Sequence, residues 1–232
     1  MSVQHIKKLL IRFKNPLSVY KIDSFRGAVV NQLHNKDVLF HNHLQNGNGN
    51  GYRYSYPLIQ YKRINQKAAI LCLGEGTDSI GEFFFDSDLN LNINGEKQQF
   101  EIENIQASKN IIQIWDSNFE YTIRKWLALN QKNYERYNEM EGIAEKAELL
   151  ESILKGNILS MAKGLNVFFD KQIVCKLKWI SEPHITRYKN TELTCYDAQF
   201  YCNVSIPDFA GLGKGSSIGF GTTVRKRDMT KE

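Results

Sequence analysis

His41 and His43 are the residues of this 232-residue chain whose type and spacing best suit acid–base chemistry. Only Asn42 separates them, so on an extended backbone both imidazoles point to the same side. An imidazole titrates near ~6.5, and a pair can supply a base and an acid together close to neutral pH. Cleavage of RNA without a metal asks for that combination. A base activates the ribose 2′-OH, and an acid protonates the leaving 5′-oxygen. Tyr52 or Tyr54 could orient a phosphate or assist the proton transfer, and Arg53 or Lys62 could offset charge on the phosphorane. Two other readings stay open. A histidine ahead of the tract Asn46-Gly47-Asn48-Gly49-Asn50-Gly51 is often simply solvated, because Asn and Gly form loops rather than packed structure. A His-x-His pair can also bind zinc, but zinc needs a third protein ligand, and no Asp or Glu occurs between Asp37 and Glu75.

The second constellation is Gly211-Leu212-Gly213-Lys214-Gly215-Ser216-Ser217-Ile218-Gly219-Phe220-Gly221. Glycines let a backbone approach a phosphate, exposed N–H groups can bind its oxygens, and Lys214 adds charge. Arg225, within Val224-Arg225-Lys226-Arg227, extends the basic character. The segment is not a Walker loop, since no Gly-Lys-Ser/Thr triplet ends a glycine frame and little chain remains for a following helix. Nor is it a dinucleotide fingerprint, since no βαβ unit follows. A glycine-rich turn beside the last strand remains the alternative to phosphate binding. His184-Ile185-Thr186 matches one half of the two His-x-Thr motifs that two-histidine phosphoesterases need, and the second half is missing. His5 and His34 read as structural. The four cysteines contain no C-x-x-C pair and read as buried apolar residues with free thiols.

These residues must be positioned by an ordinary globular framework. Hydrophobic residues make up 42% and charged residues 24% of the chain. The longest apolar run, Ala68 to Leu73, is far short of the ~20 residues that a spanning helix needs. Lys7, Lys8 and Arg12 interrupt the N-terminal apolar residues, which argues against a signal peptide and for a cytoplasmic location. Charge is segregated. Residues 1–70 carry 11 Lys/Arg and 2 Asp/Glu, residues 71–160 carry 8 and 16, and residues 161–232 carry 11 and 7. If the two basic ends share a face, that face attracts a polyanion.

Strands are expected over Val3–Phe13, Tyr54–Tyr61, Ala68–Leu73, near 89–93, 98–106 and 110–115, and over Phe119–Leu129, Ile173–Ile180, Thr191–Val204 and Thr222–Arg225. A helix capped by Asp23-Ser24 should run to about Leu33, a second from Thr77 or Asp78 to Phe85, and a long helical region from Gln131 to Ala162, broken at Gly142 and Gly156. This order fits an α+β protein of two tandem ferredoxin-like (RRM-like) domains, 1–112 with the histidine pair and 113–232 with the glycine-rich loop.

The spacing Gly211-x-Gly213-x5-Gly219-x-Gly221 near the C-terminus resembles the glycine-rich loop of the CRISPR-associated RAMP proteins. Among them the chain is most similar to the repeat-processing endoribonucleases of the Cas-six type. The b subtype, which carries two histidines in its N-terminal half, is nearest. Tyr56-Pro57-Leu58-Ile59-Gln60-Tyr61-Lys62 resembles a strand that follows the active-site loop in that family. The likeness covers nearly the whole chain. It implies a metal-independent, cofactor-free endoribonuclease that cuts CRISPR precursor RNA within repeats by 2′-OH attack. The products would be a 5′-hydroxyl and a cyclic 2′,3′-phosphate, releasing mature guide RNAs. It implies His41 and His43 as the catalytic pair with a nearby tyrosine, Tyr54 in preference to Tyr52. RNA would be held by Arg53, Lys62, Gly211, Gly213, Lys214, Gly215, Ser216, Ser217, Gly219, Gly221 and Arg225. Expected partners are precursor and mature guide RNA, an effector complex and a second copy of the chain, with no membrane. The rival readings are a non-catalytic RNA-binding RAMP subunit of such a complex and a metal-dependent phosphoesterase.

Overall fold

The computed structural model describes residues 5–32, 56–86, 88–188 and 191–227. His41, His43, Tyr52, Arg53 and Tyr54 therefore lie outside the described residues. The chain forms two compact units. One comprises His5–Asn110 with Ser217–Gly219, and the other comprises Ile111–Ser216 and the residues from Phe220 onward.

In the first unit, β1 (His5–Pro16) leads through a short 3-10 turn into α1 (Ile22–Asn31). After 33–55 come β2 (Ile59–Ile64), β3 (Lys67–Leu73), α2 (Gly76–Asp86), the hairpin β4 (Asn90–Ile93) and β5 (Glu96–Gln99), and β6 (Ile102–Ile111). The sheet order is β2-β3-β1-β6, the split β-α-β arrangement of a ferredoxin-like unit. Its core is aromatic. Phe13 meets Phe25 and Phe100 edge-on at 5.8 and 5.5 Å, Phe25 stacks on Phe100 at 5.3 Å, and Tyr61 meets Phe25 at 5.9 Å.

Several local expectations shift for identifiable reasons. α1 starts at Ile22, one residue before the expected cap, because the preceding turn is itself capped by Ser18, whose Oγ accepts the Tyr20 N–H. Asp23 then lies in the first helical turn, where the helix dipole favours a carboxylate. The Ser24 hydroxyl donates to Asn94 Oδ1 instead of capping. β2 begins at Ile59 rather than Tyr54. Pro57 has no N–H for a ladder, and the Gln60 amide folds back to donate to Tyr56 OH (2.8 Å) and Pro57 O (3.0 Å). The strand expected over 98–106 divides where Phe100 turns into the core, 1% exposed, and Asn15 brackets the break by donating to Gln99 O and accepting from Glu101 N.

The second unit holds β7 (Ile114–Trp126), α3 (Gln131–Glu139), α4 (Ile143–Gly164), β8 (Cys175–Ile180), β9 (His184–Tyr188), β10 (Thr191–Val204) and β11 (Thr222–Arg225). Its sheet order, β11-β7-β10-β8, repeats the ferredoxin-like sequence of strands, with β9 paired to the first half of β10. The chain is thus an α+β protein of two tandem ferredoxin-like domains. β9 is absent from the sequence expectation. The helical region breaks at Gly142 as expected but runs unbroken through Gly156. There the stripe Leu150, Leu154, Ile158 and Met161 is buried on both sides of the glycine, and that burial outweighs the ~1 kcal/mol glycine costs relative to alanine. In the crossover from β10 to β11, where a second helix would stand, the regular structure is a 3-10 turn, Ser216–Ile218.

Register sorts the second sheet into two faces, because directly opposed residues of an antiparallel pair share a face. One face is buried and carries Leu177–Phe200–Tyr121 and Ile180–Ala198–Ile123–Thr223 as rows across the strands. The other carries Lys176–Tyr201–Glu120 and Trp179–Gln199–Thr122–Val224, with Arg124 opposite Thr222. No helix of the described residues is long and apolar enough to cross a membrane.

Candidate nucleic-acid interface

The described part of the first unit meets the expected site at its two flanks, Gln32 after α1 and Tyr56 before β2. Tyr56 is buried, and burial pushes its phenol well above the ordinary range despite the Gln60 hydrogen bond. Lys62 lies in the middle of β2 and is 1% exposed. Burial lowers its pKa to about 7, so its charge is only partly present near neutral pH. A lysine so placed has no open path to a phosphate in solvent, in contrast with the surface cation the sequence suggested. Its neighbour Arg63 is exposed, and its guanidinium donates to Leu17 O at 2.7 Å.

The glycine-rich segment is built as a tied crossover. Tyr121 OH donates to Val204 O (3.0 Å) and accepts from the Ile206 N–H (2.9 Å), fixing where the chain leaves β10. Phe209 N–H donates to Thr223 O at 2.7 Å, and Thr223 donates to Ala210 O through both its N–H (2.9 Å) and its hydroxyl (2.7 Å). Leu212 N–H donates to Gly221 O at 2.9 Å, and Gly211 bridges Thr222. The two ends of the segment therefore run against each other. Gly221 has φ +59°, and a Cβ there would collide with the Leu212 carbonyl oxygen. At Gly213, φ +82°, a Cβ would stand 2.6 Å from Asn157 Oδ1, which already accepts the Trp126 indole N–H at 3.0 Å. Within 211–221 Lys214 alone is exposed, Ser216 is buried, and Ser217 is half-buried. Ser217–Gly219 belong to the first unit, where a Cβ at Gly219 would lie 3.3 Å from the Ile22 side chain. Arg225 is exposed at the end of β11, its guanidinium 3.9 Å from the Phe119 ring centroid.

Sequence reasoning passed over the cations and aromatics of the open sheet face. Lys176, Lys178 and Trp179 on β8, Tyr201 on β10, Arg124 on β7 and Lys226 just past β11 converge there. The alternation Lys176-Leu177-Lys178 was the available signal. The four cysteines are buried free thiols, and His184 sits in β9 opposite Cys195. Among the described residues no three His, Cys, Asp or Glu side chains form a group that could hold a metal ion.

Two ferredoxin-like units in tandem, the second closed by a glycine-rich crossover, define the class of fold that this chain shares with solved Cas6 structures. The Cas6b N-terminal domain family matches residues 4–111 and the Cas6b C-terminal domain family residues 113–226. The chain belongs to the Cas6b family. A crystal structure of Cas6b is 26% identical and superposes with a TM-score of 0.84 over 96% of this chain and 100% of that one. A crystal structure of a CRISPR RNA processing endoribonuclease Cas6b is 24% identical, with a TM-score of 0.73 over 96% and 100% of the two chains, and shares the fold. Among curated relatives, the uncharacterized protein MJ0978 of Methanocaldococcus jannaschii is 39% identical over 103 residues, 44% of this chain and 69% of that one.

Proposed function

We propose that this protein is an endoribonuclease that cuts CRISPR precursor RNA within its repeats by metal-independent attack of the ribose 2′-OH. The observation that carries the reading is the succession of Cas6b N- and C-terminal domain matches along 4–111 and 113–226. One imidazole of the His41/His43 pair takes the 2′-OH proton. The 2′-oxygen then bonds to the adjacent phosphorus, the P–O5′ bond breaks, and the other imidazole protonates the leaving 5′-oxygen. A cyclic 2′,3′-phosphate and a 5′-hydroxyl result. Tyr54 orients the phosphate, and Arg53 offsets the developing negative charge. Lys214 and Arg225, exposed at the glycine-rich crossover and the end of β11, contribute charge to the grip on the RNA backbone, and Gly211–Gly221 shape the surface. Lys62, being buried, is given no phosphate contact in this reading.

The test uses purified protein and labelled repeat RNA in excess EDTA, beside a substrate carrying a 2′-deoxy nucleotide before the cut. Cleavage of the RNA with the 2′-deoxy strand left intact is expected. The His41→Ala/His43→Ala double variant should lose cleavage by at least about 100-fold, the lower range for general acid–base catalysis, while still binding the RNA. Wild-type rates in that variant would sink the assignment of the pair. Activity abolished by EDTA and restored by a divalent ion would replace the mechanism with a metal-dependent one.

A further inference from the structure

We propose that the open face of the second unit's sheet is a stacking platform for single-stranded RNA, with Tyr201 and Trp179 each receiving a base. The proposal rests on the reading of the chain as an RNA-processing enzyme and adds a docking surface to it, apart from the glycine-rich crossover. Tyr201 and Trp179 are 37% and 48% exposed, although both rings belong to strands of a five-stranded sheet. Register puts them on the same face, Tyr201 opposite Lys176 and Trp179 opposite Gln199. With strands ~4.8 Å apart and ~3.3 Å of rise per residue, positions on adjacent strands and successive rows of one face stand roughly 8 Å from each other, which leaves room for a separate base on each ring.

The surroundings fit a nucleic acid rather than an apolar partner. Lys178 Nζ lies 5.4 Å from the Tyr201 ring centroid and 3.0 Å from the Glu120 carboxylate. Lys226 Nζ reaches the same carboxylate at 3.2 Å, so two cations share one acid. Arg124 pairs with Asp197 at 2.6 Å, and Lys176 meets Glu151 of α4 at 2.9 Å from the sheet edge. The face thus carries three cations, Lys178, Lys226 and Arg124, against the carboxylates of Glu120 and Asp197, while Lys176 is tied to Glu151 at the edge. Their side chains stay partly open to solvent, Arg124 at 64%, Lys226 at 53% and Lys178 at 41%. Exchange of a surface ion pair for a phosphate costs little, because such pairs are worth ~0–1 kcal/mol in water. Aromatic rings flanked by cations on a sheet suit unpaired bases, which offer a π-face whatever their sequence. Bases within a duplex are already stacked on one another.

The experiment measures equilibrium binding of a short labelled single-stranded RNA, and of the same sequence as a duplex, to the full chain and to Tyr201→Ala, Trp179→Ala, Tyr201→Phe and Trp179→Phe. Each alanine variant should weaken single-strand binding by about 5- to 150-fold, the range for one lost stacking contact. The phenylalanine variants should bind within about two-fold of wild type. Duplex binding and the melting temperature should not move, and the salt dependence of single-strand binding should keep its slope, because no phosphate contact is removed. Alanine variants that bind single strands like wild type would overturn the platform and leave the face to a protein partner. Cleavage of repeat RNA by those same variants would then still support the proposed function. Equal losses for single strand and duplex, or no single-strand binding by the wild-type chain, would also overturn it. A wild-type chain that neither binds nor cleaves repeat RNA removes the functional reading as well.

Discussion

At the scale of single residues, burial changes what a side chain can do. Lys62 follows Tyr61 in β2 and precedes the exposed Arg63, and from sequence alone it reads as one more surface cation. Alternation along a strand identifies which residues share a face but not whether that face is covered, and here Ile59 to Lys62 are all buried. The consequence is measurable. The Lys62 ammonium titrates at about 7 in the folded chain against 10.5 when exposed. Between those values the unfolded chain binds the proton and the folded chain does not, so the stability contributed by this group rises with pH through the window and is lowest below about 7. Any melting-temperature gain of Lys62→Met over the wild type should therefore be greatest at about pH 7 and below and shrink as pH approaches 10.5. Melting curves of the two proteins over that range test it, and a gap that does not narrow would refute it. Glu151 makes the complementary case. It is buried on α4, yet it accepts from Leu177 N–H (3.0 Å) and Lys176 Nζ (2.9 Å), so its charge is fully partnered.

At the scale of elements, the glycine-rich segment was the most legible feature of the sequence and also the most ambiguous. Its composition announced close backbone approach but could not say to what. Part of the answer is internal. Gly221 approaches the Leu212 carbonyl and Gly213 approaches Asn157, so these glycines are required by the fold whether or not RNA is bound. Gly221→Ala should destabilise the protein by about 3 kcal/mol or more, since the residue would combine a left-handed φ with a backbone collision. Chemical denaturation checks this, and a loss under 1 kcal/mol would mean the crossover relaxes easily. Lys214 is the separable part. Lys214→Ala should leave stability unchanged and flatten the slope of log affinity against log salt by about 0.7, the share of one phosphate contact on a single strand. An unchanged slope would remove Lys214 from the interface. Asn94-Gly95 turns with both φ positive, at 56° and 90°, the pattern expected between β4 and β5, whereas Asn65-Gln66 adopts the same kind of turn without a glycine to announce it.

At the scale of the whole molecule, two copies of one strand order account for nearly all of the regular structure, and the order of elements along the chain was enough to anticipate both. Hydrophobic periodicity and turn residues are local properties, so they survive in the sequence and mark α1, α2, β3, β8, β10 and β11 within a few residues. The breaks and joins were not local. The strand expected over 110–115 was divided between β6 and β7, β9 formed because β10 offered it a partner, and Gly156 stayed helical because residues on either side were buried together. By itself the sequence determined the fold class, the tandem arrangement and the glycine-rich crossover, since each depends on residue type and order along the chain. Tertiary structure alone decided that Lys62 is enclosed and that Lys176, Lys178, Trp179, Tyr201, Arg124 and Lys226 share one open face. Enclosure and cross-strand neighbourhood arise from residues as far apart as Glu120 and Lys226, which meet only when the sheet closes its register.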